Sequence, residues 1–183
     1  DACRLLGELY TDLSQYIKAQ EAYTRGIDLF QSENEKNGLE GDLNTGILYA
    51  DMGDIEYFIS GDMDAALKNY EHSVLNKNST PTVNYRIGVI NYNKQNYENA
   101  LTFFIKALEK KDADQNLLLA AGNTLALRGD NFASQGYYNR LLSLLNEEKA
   151  HHALLFPQAK EEDSQLVEMI LKTNNNLGVV LNK

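Results

Sequence analysis

An all-α chain of stacked helix pairs is what this sequence predicts, and three observations carry the prediction. Within 84–111, Tyr97, Ala100, Leu101, Phe104, Ala107 and Leu108 recur at spacings of three and four, the period of an amphipathic helix. The pattern also returns at a fixed interval. Adding 34 carries Gly88 to Gly122, Phe103-Phe104 to Tyr137-Tyr138, Lys106 to Arg140 and Leu108 to Leu142, and subtracting 34 carries Ala100 to Ala66, Phe104 to Tyr70 and Leu108 to Val74. Finally, 11 tyrosines and only 2 prolines suit helices that pack through aromatic knobs.

The segment 84–111 reads as two short helices and a tight turn. Ile87, Gly88 and Ile90 lie on the first, Asn93–Asn96 break it, and the periodic apolar residues form the second. A close helix crossing needs small side chains, which Gly88 and Ala100 supply, with Tyr97 and Phe104 filling the volume beside them. This arrangement resembles a tetratricopeptide (TPR) helical pair, with Ile87-Gly88 as its leucine–glycine pair, Tyr97 as its turn aromatic and Ala100, Phe104 and Ala107 as its small–aromatic–small trio. Asn84, followed by Tyr85, stands where that family has an early large aromatic residue.

From the start of the chain, Cys3, Leu6, Gly7, Tyr10, Tyr16, Ala19, Tyr23 and Gly26 match the same pattern, with helices expected at Asp1–Leu13 and Tyr16–Phe30. Cys3 is read as a small core filler. Ala19 to Ala66 is 47 residues, 13 more than one period, and the insertion is placed in a longer inter-repeat turn at Gln31–Asp42. The second pair is expected at Leu43–Ile59 and Met63–Asn76; its first helix fits poorly, because Gly53 sits one residue ahead of the register and Asp54 takes its place. Asn78-Ser79-Thr80 matches the glycosylation pattern but is read as a helix–helix corner, and Pro81 opens the next helix, where a missing N–H costs nothing. The fourth pair is expected at Ala113–Arg128 and Asn131–Asn146, with Ser134 in the small-residue position. Glu147–Phe156 lengthens its second helix until Pro157, and Lys160–Lys183 reads as one long amphipathic helix whose Asn174–Val180 resembles the start of a fifth pair. The expected organisation is one TPR array over 1–183, with units at about 1–33, 43–79, 81–113 and 114–147 and a partial unit at 160–183. It ends in mid-repeat, as a fragment of a longer protein would.

The formal charge of −9 argues against duplex nucleic acid or an anionic membrane as the main partner, and no apolar run approaches the length of a membrane span. Between Gln31 and Asp64 nine acids face one base, Lys36; this stretch reads as a solvated face, with a docking patch for a basic partner as the sharper alternative. Phosphate-loop, dinucleotide and zinc-protease motifs are absent. Asp112-x-Asp114-x-Asn116 reads as a helix cap rather than a calcium loop. His151-His152 with Glu161, Glu162 and Asp163 is the one cluster with ligand chemistry, but adjacent helical residues point about 100° apart and do not readily share an ion. The sequence asks for no cofactor, metal or active site.

The resemblance implies a right-handed superhelix whose first helices line an inner groove, and a non-catalytic interaction module that holds an extended peptide or partner protein there. The groove positions are then Tyr85, Val89, Tyr92, Asn93, Asn116, Leu119 and Asn123, where rings supply flat contact area and amides bond to a backbone. One TPR subclass clamps chaperone-tail carboxylates. Arg86 fits that pattern, but Thr82, Met52 and Glu8 stand where a lysine and two asparagines belong, so this clamp is not expected. The alternative reading is a regulatory or structural arm of a larger enzyme or assembly, acting through helix faces. Leu166, Ile170, Leu177, Val180 and Leu181 on the last helix are expected to form an uncovered edge that favours self-association.

Overall fold

The computed structural model describes residues 2–155 and 164–182. Among these residues there are nine α-helices, one π-turn and no strand: α1 (Ala2–Asp12), α2 (Tyr16–Lys36), α3 (Leu43–Ile55), the π-turn (Glu56–Ser60), α4 (Met63–Leu75), α5 (Pro81–Asn93), α6 (Tyr97–Leu108), α7 (Gln115–Arg128), α8 (Asn131–Leu155) and α9 (Ser164–Leu181). The chain divides into two compact units, Asp1–Ile90 and Asn91–Lys183, and the boundary falls within α5.

Helix ends follow local chemistry. Asp42, Asp62, Asn96 and Asp114 precede α3, α4, α6 and α7, and each accepts a backbone N–H of the first turn through its side chain. Asp114 thus is the cap that its sequence position suggests, accepting from Leu117 N at 3.0 Å. Ser14, Gly61, Gln95 and Gly129 all take positive φ, between 58° and 84°, and each sits in the turn that joins the two helices of a pair. That left-handed residue reverses the chain in three residues or so, and glycine adopts it without strain.

The first unit is built on Ala19, Tyr23, Ile27, Leu48 and Ile55, with Tyr10, Tyr16, Phe30, Tyr49 and Met52 packed against them. A tyrosine of each second helix lies over a glycine of the first. A Cβ on Gly7 would come 2.1 Å from the Tyr23 ring, and one on Gly53 would come 2.7 Å from the Tyr70 ring. Gly7 to Tyr23 is 16 residues, whereas Gly53 to Tyr70 is 17. The π-turn absorbs the difference: its capping residue Gly61 donates its N–H to Glu56 O, five residues back, widening one turn of helix by one residue. Gly53 is therefore the crossing glycine of the second pair, and its apparent misplacement in sequence is the signature of that turn. Asp54, displaced from the crossing, accepts the Tyr70 hydroxyl at 2.6 Å.

Two sequence expectations are corrected in this unit. The insertion at Gln31–Asp42 is not one long turn, because α2 continues to Lys36 and only Asn37–Asp42 is loop. Glu and Lys propagate helix well, and nothing breaks it before Asn37-Gly38. The acids of 31–64 are not simply a solvated face either. Asp42 and Asp62 cap helices, Asp51 pairs with Arg4, Asp54 with Arg86, and Glu56 accepts from Gln20 at 2.6 Å. Asn78 is 4% exposed and donates to Gly46 O and Ser73 Oγ, so it is the corner residue expected and is closed to modification in the folded chain.

In the second unit Leu118, Ala121, Leu125, Tyr138, Leu141 and Leu145 form the centre of the core. Tyr138 covers Gly122 as Tyr23 covers Gly7, at the same spacing of 16. Ser134, in the small-residue position, is wholly buried and donates its hydroxyl to Gly122 O at 2.8 Å, which satisfies the extra oxygen an alanine would lack. α9 turns Leu166, Thr173 and Val180 inward, seven residues apart, and packs on α8 and α7. The expected bare edge is thus corrected: Leu166 and Val180 are buried, Ile170 and Leu177 are half-buried, and Leu181 is exposed together with Leu171 and Val179. Glu161, Glu162, Asp163 and Pro157 lie outside the described residues. Among the described residues no helix is long and apolar enough to cross a membrane, and no group of acids, histidines and cysteine could hold a metal ion.

Candidate functional site

The inward faces of the first helices differ between the two units. In the first unit they carry paired charges. Arg4 on α1 reaches Asp51 on α3 at 3.2 Å and Glu8 at 3.0 Å. Arg86 on α5 lies 3.2 Å from Asp54, and the Phe58 and Tyr57 rings of the π-turn cover its guanidinium at 4.2 and 5.2 Å from their centroids. The one basic residue that fits a carboxylate clamp is therefore paired and roofed over by aromatics.

Burial pushes the Asp51 carboxyl up to about 6, against the opposing pull of Arg4 and with a further push from Glu8 and Asp54. Because the folded-state value lies above the ordinary 3.8, the folded chain binds this proton more tightly than the unfolded chain. The resulting stabilisation is complete below pH 3.8 and is lost as pH rises through about 6. Asp51→Asn should therefore flatten the pH dependence of stability across that window, and at pH 7 should raise stability by roughly 1–3 kcal/mol, one pKa unit being about 1.4 kcal/mol. Denaturant midpoints of both proteins at pH 4, 5, 6 and 7 check this; parallel curves would contradict it.

In the second unit the open faces of α7 and α9, with the end of α5, form a cleft of about 320 Å³. Asn123 sits at its centre. Its Oδ1 accepts from Tyr138 Oη and from Asn176 Nδ2, each at 2.8 Å. Two donors on one oxygen fix the amide's orientation and leave its own N–H groups pointing away from that junction. Tyr92 lines the same cleft, held edge-to-face against Tyr97 at 5.7 Å, and its hydroxyl is pushed above its usual range by burial. Ala126, Leu127 and Val179 supply the apolar wall.

Of the expected groove residues, Tyr92 and Asn123 are brought together here. Asn93 and Asn116 are exposed, and Tyr85 and Val89 are half-buried on the part of α5 that belongs to the first unit. Leu119 is a core side chain, 8% exposed, and not a groove residue. Lys172, Asn176 and Val179 were absent from the expected set. Two of the three had a signal in the sequence: the offsets of −6 and +1 that lead from Gly122 to Asn116 and Asn123 lead from Gly178 to Lys172 and Val179, whereas Asn176 corresponds to Ala120 and had none.

Helix pairs locked by a tyrosine over a glycine, with polar and aromatic residues on the first-helix faces, define a helical-repeat protein. Residues 1–32 and 81–111 match the tetratricopeptide repeat family model, and the fold of the chain is that of solved tetratricopeptide-repeat structures. A search of curated proteins gives no match. Solved structures with the same fold include YrrB, described as a TPR protein with an unusual peptide-binding site, at 12% identity and a TM-score of 0.66 over 98% of this chain and 89% of that one. MamA matches at 11% identity and a TM-score of 0.63, covering 99% of this chain and 89% of that one. The first TPR of Spaghetti (RPAP3), bound to an HSP90 peptide, matches at 14% identity and a TM-score of 0.54, over 76% of this chain and 98% of that one.

Proposed function

We propose that the chain is a non-catalytic protein-interaction scaffold that takes an extended segment of another protein along its first-helix face. The observation that carries this reading is the cleft of the second unit, where a ring, two oriented amides and an aliphatic wall meet on one surface. Such a surface offers what an extended peptide needs: area for side chains and partners for main-chain groups. Peptide binding by two proteins of the same fold supports it.

Selection of random peptides displayed on phage against the purified chain tests the reading. Selected peptides should lose about tenfold or more in affinity to Tyr92→Ala, as for a central aromatic contact, with the circular dichroism spectrum unchanged. Failure to select any peptide, or full binding by Tyr92→Ala, would overturn it. A second reading, association through helix faces, is favoured by the exposed Leu5 and Leu9 of α1, 64% and 53% exposed and four residues apart on that helix. Light scattering at micromolar concentration separates the two, since a stable multimer dissociated by Leu9→Glu would support the second.

A further inference from the structure

The cleft of the second unit carries a charged group beside its amides and ring. Lys172 is the one formally charged residue that lines it, and it lies one helical turn before Asn176 on the same face of α9. It is exposed and has no ion pair or hydrogen bond among the described residues, although Glu168 lies four positions before it. Two arginines of the first-unit face are paired by contrast, Arg4 with Asp51 and Glu8, Arg86 with Asp54.

The surrounding charge points the same way. Residues 1–90 contain 7 bases and 15 acids, a balance of 7 − 15 = −8, while residues 91–183 contain 10 bases and 11 acids, a balance of 10 − 11 = −1. An acidic ligand is repelled by the net charge of the first unit and meets a nearly neutral second unit whose cleft holds a cation with no ion pair among the described residues. The amides add main-chain recognition. Asn123 Oδ1 is already used by Tyr138 and Asn176, so Asn123 offers donors and Asn176 Oδ1 offers an acceptor, the pair that one peptide unit of an extended chain requires. Leu127 and Val179, 54% and 56% exposed, flank this point and suit an aliphatic neighbour.

We propose that this cleft binds an extended segment carrying an acidic side chain, with the carboxylate at Lys172, the main chain on Asn123 and Asn176, and an aliphatic side chain against Leu127 and Val179. The proposal rests on the scaffold reading and names its ligand class. An array of random decapeptides probed with the intact chain, followed by anisotropy titrations of soluble decapeptides taken from it, tests the idea. Bound peptides should be enriched in Asp or Glu next to Leu, Ile or Val. Lys172→Glu should weaken them roughly fivefold or more, the scale of one exposed ion pair, while Lys172→Arg keeps most of the affinity. Raising salt from 50 to 500 mM should weaken the parent chain and leave Lys172→Glu nearly unaffected. The melting midpoint of Lys172→Glu should match the parent, which separates lost contact from lost fold. Peptides bound equally well by the parent and Lys172→Glu would overturn the acidic ligand while leaving the scaffold reading intact. An array with no bound peptide would overturn both.

Discussion

Gly46→Ala should be among the most destabilising single-methyl changes in this chain, lowering stability by about 3 kcal/mol, the upper end of ordinary overpacking. The added Cβ would come within 2.6 Å of Asn76 O, 2.7 Å of Asn78 Cβ and 2.9 Å of Ser73 O. Two of those three atoms are backbone, so no rotamer change relieves them. The same glycine accepts Ser73 Oγ and Asn78 Nδ2 on its carbonyl, at 2.7 and 3.2 Å, so moving α3 away from the end of α4 would also break two buried hydrogen bonds. Gly136→Ala is the control. A Cβ there meets nothing within 4 Å, in the interior of α8, and the change should stabilise by roughly 0.5–1 kcal/mol through helix propensity alone. Denaturant titration of the two variants checks the pair, and similar effects would show that the α3–α4 contact is looser than described.

Tyr138→Ala should cost about 3–5 kcal/mol, the range for emptying a buried aromatic site. The ring is 1% exposed and lies directly over Gly122, which has no side chain of its own to fill the space. Tyr138→Phe should cost only about 1 kcal/mol, because the ring stays and one neutral hydrogen bond to Asn123 is lost. The contrast separates packing from hydrogen bonding. Equal losses would mean that the hydroxyl junction, rather than the ring on the glycine, holds α8 to α7. The phenylalanine variant should also leave Asn123 held by Asn176 alone, so its peptide affinity is expected to fall while its fold persists.

The ion-paired face of the first unit and the amide-centred cleft of the second differ at single positions. In three of the four repeats the residue after the crossing glycine, Glu8, Asp54 or Asn123, follows a glycine covered by a tyrosine of its own pair. Asp54 and Asn123 both accept that tyrosine's hydroxyl. The position therefore serves the lock between the helices and the chemistry of the exposed face at once. The acids there pair with arginines, Asp54 with Arg86 of α5 and Glu8 with Arg4 of its own helix, whereas the amide Asn123 is met by another amide, Asn176.

Helix identity and pairing were determined by the sequence alone, because both depend on local pattern. A small residue and an aromatic at fixed spacing cannot be buried together except by two crossing helices, and the 34-residue recurrence of Gly88 at Gly122 and Phe104 at Tyr138 repeats that constraint. Caps such as Asp114 were equally legible, since they act over three residues. The tertiary structure decided what depends on a one-residue offset or on distant partners. A linear register cannot distinguish a misplaced Gly53 from a widened helical turn, and only the seat of Tyr70 on Gly53 shows that the π-turn restores the match. Leu119 and Asn123 sit on the same helix four residues apart, yet one faces the core and the other the cleft, because packing of neighbouring helices sets the boundary between faces more finely than periodicity can. Asn176 joined Asn123 across 53 residues for the same reason: α9 packs chiefly on α8, with a smaller contact to α7, burying Leu166, Thr173 and Val180, and that docking, not any local motif, brings the two amides together.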